Sequence, residues 1–224
     1  MAGLRRCEAV LALTAAMIRV LVTNTKGGVG KTTIATTLAS AYAAGRLKTA
    51  LADVDRQHSS LDWLAARPAT ARPIVGLDWS KAVTAAPAGI ERLVIDAPAN
   101  LRLKEVDELI AEADLVILPL LPSAFDQAST ARFLRKLDKL KPVRKGRKGV
   151  AVVANRVRPR AKAAQRLEAF LVACGQPVPA RISDRAIYGE LAVQGLALFD
   201  TPAARHLAAK SEWTPLLTAI EAAA

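Results

Sequence analysis

Apolar positions along this chain fall into two rhythms. Short unbroken runs at Ile18–Thr23, Thr49–Asp53, Leu93–Asp96, Leu115–Pro119 and Val150–Ala154 alternate with longer stretches in which Ala and Leu recur at helical spacing. Runs without a polar alternate predict strands buried on both faces. The stretches Thr32–Ala44, Leu103–Ala113, Ser123–Leu140 and Ala161–Cys174 predict helices, with Gly45 and Gly175 placed as C-terminal stops. The alternation predicts an α/β fold, a mostly parallel central sheet with helices on both faces and ligand-binding loops at the carboxyl ends of the strands. Residues 66–87 are rich in Pro and Ala and hold one possible strand, Ile74–Trp79. With no internal repeat and no long linker, residues 17–224 read as a single domain around one sizeable core.

The first residues carry Arg5 and Arg6 before a short apolar run, as a signal peptide would, but Glu8 interrupts the pattern and the first core strand follows at once. Residues 1–16 therefore read as a disordered extension ahead of a natural start at Met17. No apolar run approaches the ~20 residues that span a bilayer, so stable membrane insertion is not expected. Cys7 and Cys174 lack metal-ligand spacing and form no disulfide framework, which suits a cytoplasmic protein.

Charge changes the picture through its placement. The formal net charge is +12, and residues 135–166 hold 13 Lys/Arg against the single acid Asp138, while the remainder balances at 19 of each sign. So concentrated a basic segment predicts a polyanionic partner. It contains no aromatic residue for base stacking, so Lys136, Lys139, Lys141, Arg144, Lys145, Arg147 and Lys148 are expected to contact phosphates, as in DNA binding without sequence preference.

The strongest chemical signal follows the first strand. Gly27-Gly28-Val29-Gly30-Lys31-Thr32-Thr33 runs straight into a predicted helix. Glycines let backbone N–H groups close on phosphate oxygens, the helix start directs its positive end at the same anion, and Lys31 neutralises β/γ charge. Thr32 is the expected Mg²⁺ ligand. The general G-x-x-x-x-G-K-[ST] pattern is broken at Thr25, where its first glycine would stand.

With Lys26 in front, this segment resembles the deviant Walker A motif of the ParA/MinD family of P-loop ATPases, in which a second, signature lysine precedes the glycines. The resemblance implies ATP and Mg²⁺ as cofactors and an ATP-dependent homodimer in which Lys26 reaches the partner's phosphates. Asp53-Val54-Asp55-Arg56-Gln57 is similar to the family's D-x-D-P-Q segment, with Arg56 in place of proline. By position Asp55 would orient the attacking water and Asp53 would support the Mg²⁺ shell. Leu93-Val94-Ile95-Asp96-Ala97-Pro98 resembles the Walker B segment, so Asp96 would hold Mg²⁺ through water, while Ala97 lacks the usual threonine hydroxyl. Pro119–Asp126 looks like a stretch of the small ParA proteins, with Ser123 read as a helix cap. Val152–Arg156 resembles the strand end that reads adenine, which makes Asn155 the candidate base contact.

The short ParA forms are the nearest likeness. They imply a positioning ATPase that segregates or spaces a cargo on the nucleoid, hydrolyses ATP slowly alone and is stimulated by a ParB-like or other small partner. A membrane-surface ATPase similar to MinD is the alternative, but its basic C-terminal helix has no counterpart here: after Lys210 come Glu212 and Glu221 and no Lys or Arg. A metabolic P-loop enzyme would need a substrate domain, and Cys7 and Cys174 do not match an iron–sulfur reductase component.

Overall fold

The computed structural model describes residues 17–99 and 101–223. The expectation for residues 1–16 lies outside them. Seven strands form one sheet: β1 (Ile18–Val22), β2 (Thr49–Asp53), β3 (Val75–Asp78), β4 (Arg92–Asp96), β5 (Leu115–Leu120), β6 (Gly149–Val157) and β7 (Ala180–Ser183). Their order is β3-β2-β4-β1-β5-β6-β7, and every neighbouring pair is parallel. The most apolar runs lie in the centre, where both faces of a strand are covered.

The helices are α1 (Lys31–Ala44), α2 (Ser59–Ala65), α3 (Leu103–Glu112), α4 (Ala124–Leu137), α5 (Lys141–Arg144), α6 (Lys162–Ala173), α7 (Ile187–Ala192), α8 (Leu207–Ser211) and α9 (Thr214–Glu221). Alternate residues of β1 divide the core. Ile18, Val20 and Val22 pack with Ile34 and Leu38 of α1 and with Trp213, Leu216 and Ile220 near the C-terminus. Leu21 faces the other way, into a second cluster with Val106 and Leu109 of α3, Phe133 of α4 and Leu167 of α6. Helix α1 is buried on nearly all sides, which explains its small residues, and Thr36 and Thr37 return their hydroxyls to the carbonyls of Thr32 and Thr33 at 2.8 and 2.7 Å.

The structure revises several boundaries. The helix expected at Ser123–Leu140 ends at Leu137, and α5 follows as a separate turn with a proline in its first positions. Ser123 stands at the N-cap position but makes no side-chain capping bond. Gly175 takes the left-handed conformation of a helix stop, whereas at the end of α1 it is Arg46 that does so (φ 65°) and Gly45 does not. Five elements, α2, β7, α7, α8 and α9, were too short or too weakly patterned to be legible.

Central β1 lies between β4 and β5, so the chain leaves it in one direction toward β2 and later crosses to the other side. Loops 23–30 and 54–58 and the segment that leaves β4 at residue 97 all start from carboxyl ends near this reversal, the place where open α/β sheets bind ligands.

Candidate functional site

The loop after β1 is held from below. Asn24, fully buried, donates through Nδ2 to the carbonyl of Pro119 (2.8 Å) and to the Thr130 hydroxyl (3.1 Å), and its Oδ1 accepts from the Lys26 N–H (3.3 Å). The hydroxyls of Thr25 and Ser129 meet at 3.2 Å. Helix α4 thus fixes the start of the glycine loop, an arrangement that sequence reading missed because a lone asparagine carries no motif.

Gly28 (φ 74°) and Gly30 (φ 90°) occupy the left-handed region, and a Cβ on Gly30 would lie 2.3 Å from the Asn155 amide nitrogen. Gly30 is therefore required twice, for its backbone and for space. Asn155 donates that amide to the Val29 carbonyl at 2.8 Å. The expected base contact lies near the carboxyl end of β6, and part of its side chain braces the glycine loop. Its Oδ1 remains for a ligand in the adjoining cavity of about 230 Å³, which Thr33, Asn155, Tyr188 and Gly189 help to line.

Lys31 opens α1, and its buried ammonium donates to the Lys26 carbonyl at 3.1 Å. Burial lowers its pKa, against the pull of Asp96 and Asp55. A cation held this way gains strongly from an incoming anion. The N–H groups of the first turn of α1, at Lys31, Thr32 and Thr33, have no acceptor within the helix and are open to phosphate.

Asp96 ends β4 with its Oδ1 buried and unpartnered. Burial raises its pKa to about 7, against a hydrogen bond from the Thr32 side chain, with Asp53 adding to the rise. An orphaned carboxylate oxygen beside a threonine hydroxyl is a donor set that a divalent cation relieves. Among the described residues no group of three or more His, Cys, Asp or Glu could form an all-protein metal cage. Few protein ligands with phosphate beside them is the pattern that suits Mg²⁺.

The linkage sign follows from the raised pKa. Neutral Asp96 favours the fold at low pH, and that contribution is lost as pH rises from 3.8 to about 7. Without Mg²⁺ and nucleotide, Asp96→Asn is therefore expected to melt above wild type at pH 8 and by a clearly smaller margin at pH 5. Thermal unfolding at both pH values checks this, and an equal difference at both would contradict it.

Asp53 calls for a correction. Its Oδ2 accepts from the Ser60 N–H (2.9 Å), the Ser60 hydroxyl (2.7 Å) and the Leu61 N–H (3.2 Å), and its Oδ1 from the Asp55 N–H (2.9 Å). Four donors and complete burial commit this carboxylate to the start of α2 and the Asp55 loop, which leaves it unsuited to bind a metal directly. It positions the loop that carries Asp55. Asp55 is half-buried, with Oδ1 accepting from the Gln57 N–H at 3.0 Å, and Arg56 is exposed beside it. Lys26 is half-buried, and its ammonium has no ion-pair partner among the described residues.

Residues 20–198 match the CobQ/CobB/MinD/ParA nucleotide-binding domain. The chain belongs to that family. Its fold is that of the family's P-loop NTPases, with the deviant Walker A loop at the sheet reversal. In sequence the chain is 28% identical over 195 residues to the maintenance of carboxysome distribution protein A of Halothiobacillus neapolitanus, covering 84% of this chain and 89% of that one. In structure it is similar to an ATP complex of a Cyanothece McdA variant (TM-score 0.70, 16% identity, 94% and 97% of the two chains). It is similar also to MinD of Aquifex aeolicus (0.69, 16%, 92% and 97%) and to a putative plasmid partition protein of Borrelia burgdorferi bound to AMPPNP (0.69, 15%, 92% and 99%).

The basic segment divides between the two ends of the sheet. Lys136, Lys139, Lys141, Arg144, Lys145 and Arg147 are exposed from the end of α4 to the start of β6, opposite the glycine loop. Lys148 is partly buried and lies 3.8 Å from Asp114, so it is the least free of the seven expected phosphate contacts. Arg156, Arg158 and Arg160 come out at the nucleotide end, where Arg158 pairs with Asp184 at 2.6 Å. Among the described residues no helix is long and apolar enough to cross a membrane.

Proposed function

We propose that this protein is a positioning ATPase, which binds ATP with Mg²⁺, dimerises around the nucleotide, holds DNA non-specifically and moves or spaces a cargo. The observation that carries the reading is the pair of lysines on one loop. Lys31 is committed to the loop it closes, while the Lys26 ammonium at the loop's entrance has no ion-pair partner among the described residues. A lysine left over from its own phosphate cradle suits a partner's phosphates across a two-fold axis. The carboxysome-distribution relative supports positioning as the use, and the cargo here is a plasmid, a chromosome region or a protein assembly.

Thr32 and Asp96 would hold Mg²⁺, Asp96 through water. Bound there, the ion would neutralise charge on the β/γ-phosphate oxygens. Asp55, pinned by Asp53, orients the water. Lys31 and the α1 N–H groups stabilise the charge that builds on the transferred phosphoryl oxygens. Slow turnover by the protein alone, and stimulation by a ParB-like or other small partner, follow if a charge-neutralising group comes from outside, a contribution worth ~10³–10⁵ in related chemistry. Cytoplasmic, nucleoid-associated localisation belongs to the same reading.

DNA binding is expected mainly from the dimer, because two weak basic surfaces then act together. With about six phosphates neutralised per dimer, log K falls against log salt with a slope of roughly −5, at ~0.9 per phosphate. Removing the charges of Arg144, Lys145, Arg147 and Lys148 together should weaken binding alike on unrelated sequences and flatten the slope, with ATP binding intact. Filter binding across a salt series, with and without ATP, tests this. Equal, salt-insensitive binding in both states would refute the DNA reading.

A further inference from the structure

Helix α2 is fastened at both ends. Its first turn shares the Asp53 carboxylate with Asp55. At its other end Trp63 donates Nε1–H to the Leu196 carbonyl at 3.1 Å, and just beyond the helix Arg67 donates to the Gly195 carbonyl at 3.1 Å. The Arg67 guanidinium also grips Asp200 with two bonds (2.8 Å for the Nη1 bond), lies 5.1 Å from the centre of the Trp63 ring, and is almost fully buried, as is Asp200. Asp200 in turn accepts from the Ala197 N–H at 2.8 Å.

The segment so gripped is the direct continuation of α7. The turn closing α7 places Gly195 at φ 65°, with the N–H groups of Gly195 and Leu196 bonded to the carbonyls of Ala192 and Leu191. A Cβ on Gly195 would lie 2.3 Å from the Arg67 nitrogen, so the two backbones are in contact there. On α7 itself, Tyr188, Gly189 and Ala192 wall the cavity beside Asn155. Between α1, α2 and α7 lies a second opening of about 410 Å³, bordered by Thr37, Trp63 and Val193. Side chains leave a gap between α2 and α7, and the polar contacts at 195–200 bridge it, with Trp63, Ala197 and Leu198 sharing one apolar cluster beside them.

We propose that Trp63, Arg67 and Asp200 form a latch through which occupancy of the cavity beside Asn155 sets the position of Asp55, so that the nucleotide's base is read in the rate of hydrolysis as well as in affinity. This rests on reading that cavity as the base site. A base settling against α7 presses on a segment whose carbonyls and Asp200 hold the far end of α2, and Asp53 carries the constraint to Asp55. Buried bidentate ion pairs contribute little net stability over apolar packing but impose a fixed geometry. A fixed geometry is what a water-positioning loop requires. Trp63, Arg67 and Asp200 act on the reaction only through Asp55 and are positioning residues.

The test compares Mg-ATP with Mg-triphosphate, which offers the same phosphates and no base. Wild type should turn over ATP faster than triphosphate. Trp63→Phe keeps an aromatic ring, though a smaller one, and loses the bond to Leu196, and Asp200→Asn keeps the shape and loses the charge. In each, kcat for ATP should fall about three- to tenfold, the effect of one such hydrogen bond, with KM for ATP and kcat for triphosphate unchanged. Trp63→Phe is the milder change and still tests the latch should Asp200→Asn unfold. A wild-type ATP-to-triphosphate ratio in the variants, whether both rates drop together or neither drops, would overturn the latch. Displacement of a fluorescent ATP analogue separates the two layers. If triphosphate displaces it as well as ATP does, the base site itself is misplaced and the latch falls with it. If ATP displaces far better while the variants keep the wild-type ratio, the latch alone is wrong.

Discussion

Lys31→Ala is expected to lose ATP turnover by about 10³-fold, with ATP affinity falling roughly tenfold or more. The ammonium is buried, and burial already lowers its pKa, so the apo protein holds this cation at a cost that phosphate relieves. Removing it should leave the unliganded fold as stable as wild type or more so. The hydrogen bond to the Lys26 carbonyl is lost, but so is a desolvated charge. Loss of activity with an undiminished melting temperature is thus the signature of a phosphate contact. ATP binding by calorimetry together with phosphate release would decide it, and wild-type values for both would remove the glycine-loop assignment.

Asp55→Ala is expected to slow hydrolysis by about 10²–10³-fold while leaving ATP bound, because the phosphate cradle is built from other residues. Asp53, Ser60 and the start of α2 remain in place, since among the described residues the Asp55 side chain accepts only from the Gln57 N–H. The variant should therefore accumulate the ATP-bound dimer that wild type passes through. Lys26→Ala should act in the opposite sense, retaining nucleotide while weakening the dimer, since its ammonium has no ion-pair partner among the described residues.

Much of the site was legible because its residues follow strands with strong apolar runs. Glycine loop, Asp96 and Asp55 each sit one short step past a strand whose both faces are buried, and register in a parallel sheet then brings them together. Val22, Asp53 and Asp96 are adjacent in the ladder, through the β1–β4 and β2–β4 pairings. What was not legible depended on contacts distant in sequence. Asn24 binds Pro119 and Thr130, Asn155 spans the sheet to Val29, and Arg67 meets Asp200, and none of these pairs has a spacing that a motif could record. Likeness to the family's D-x-D-P-Q segment places Asp53 as a carboxylate near a metal. Its neighbours show why likeness fell short: a seven-residue helix too brief for a periodic signal supplies three of its four hydrogen-bond donors.

On the proposed function, ATP joins two copies of this chain through the Lys26 side of the glycine loop. Light scattering on wild type, Asp55→Ala and Lys26→Ala, each without nucleotide and with Mg-ATP, measures it directly. The account predicts that Asp55→Ala shifts from the 23.7 kDa of one chain to twice that mass when Mg-ATP is added, with Lys26→Ala remaining at the mass of one chain. An Asp55→Ala protein that binds ATP and stays a monomer at every concentration tested would contradict it.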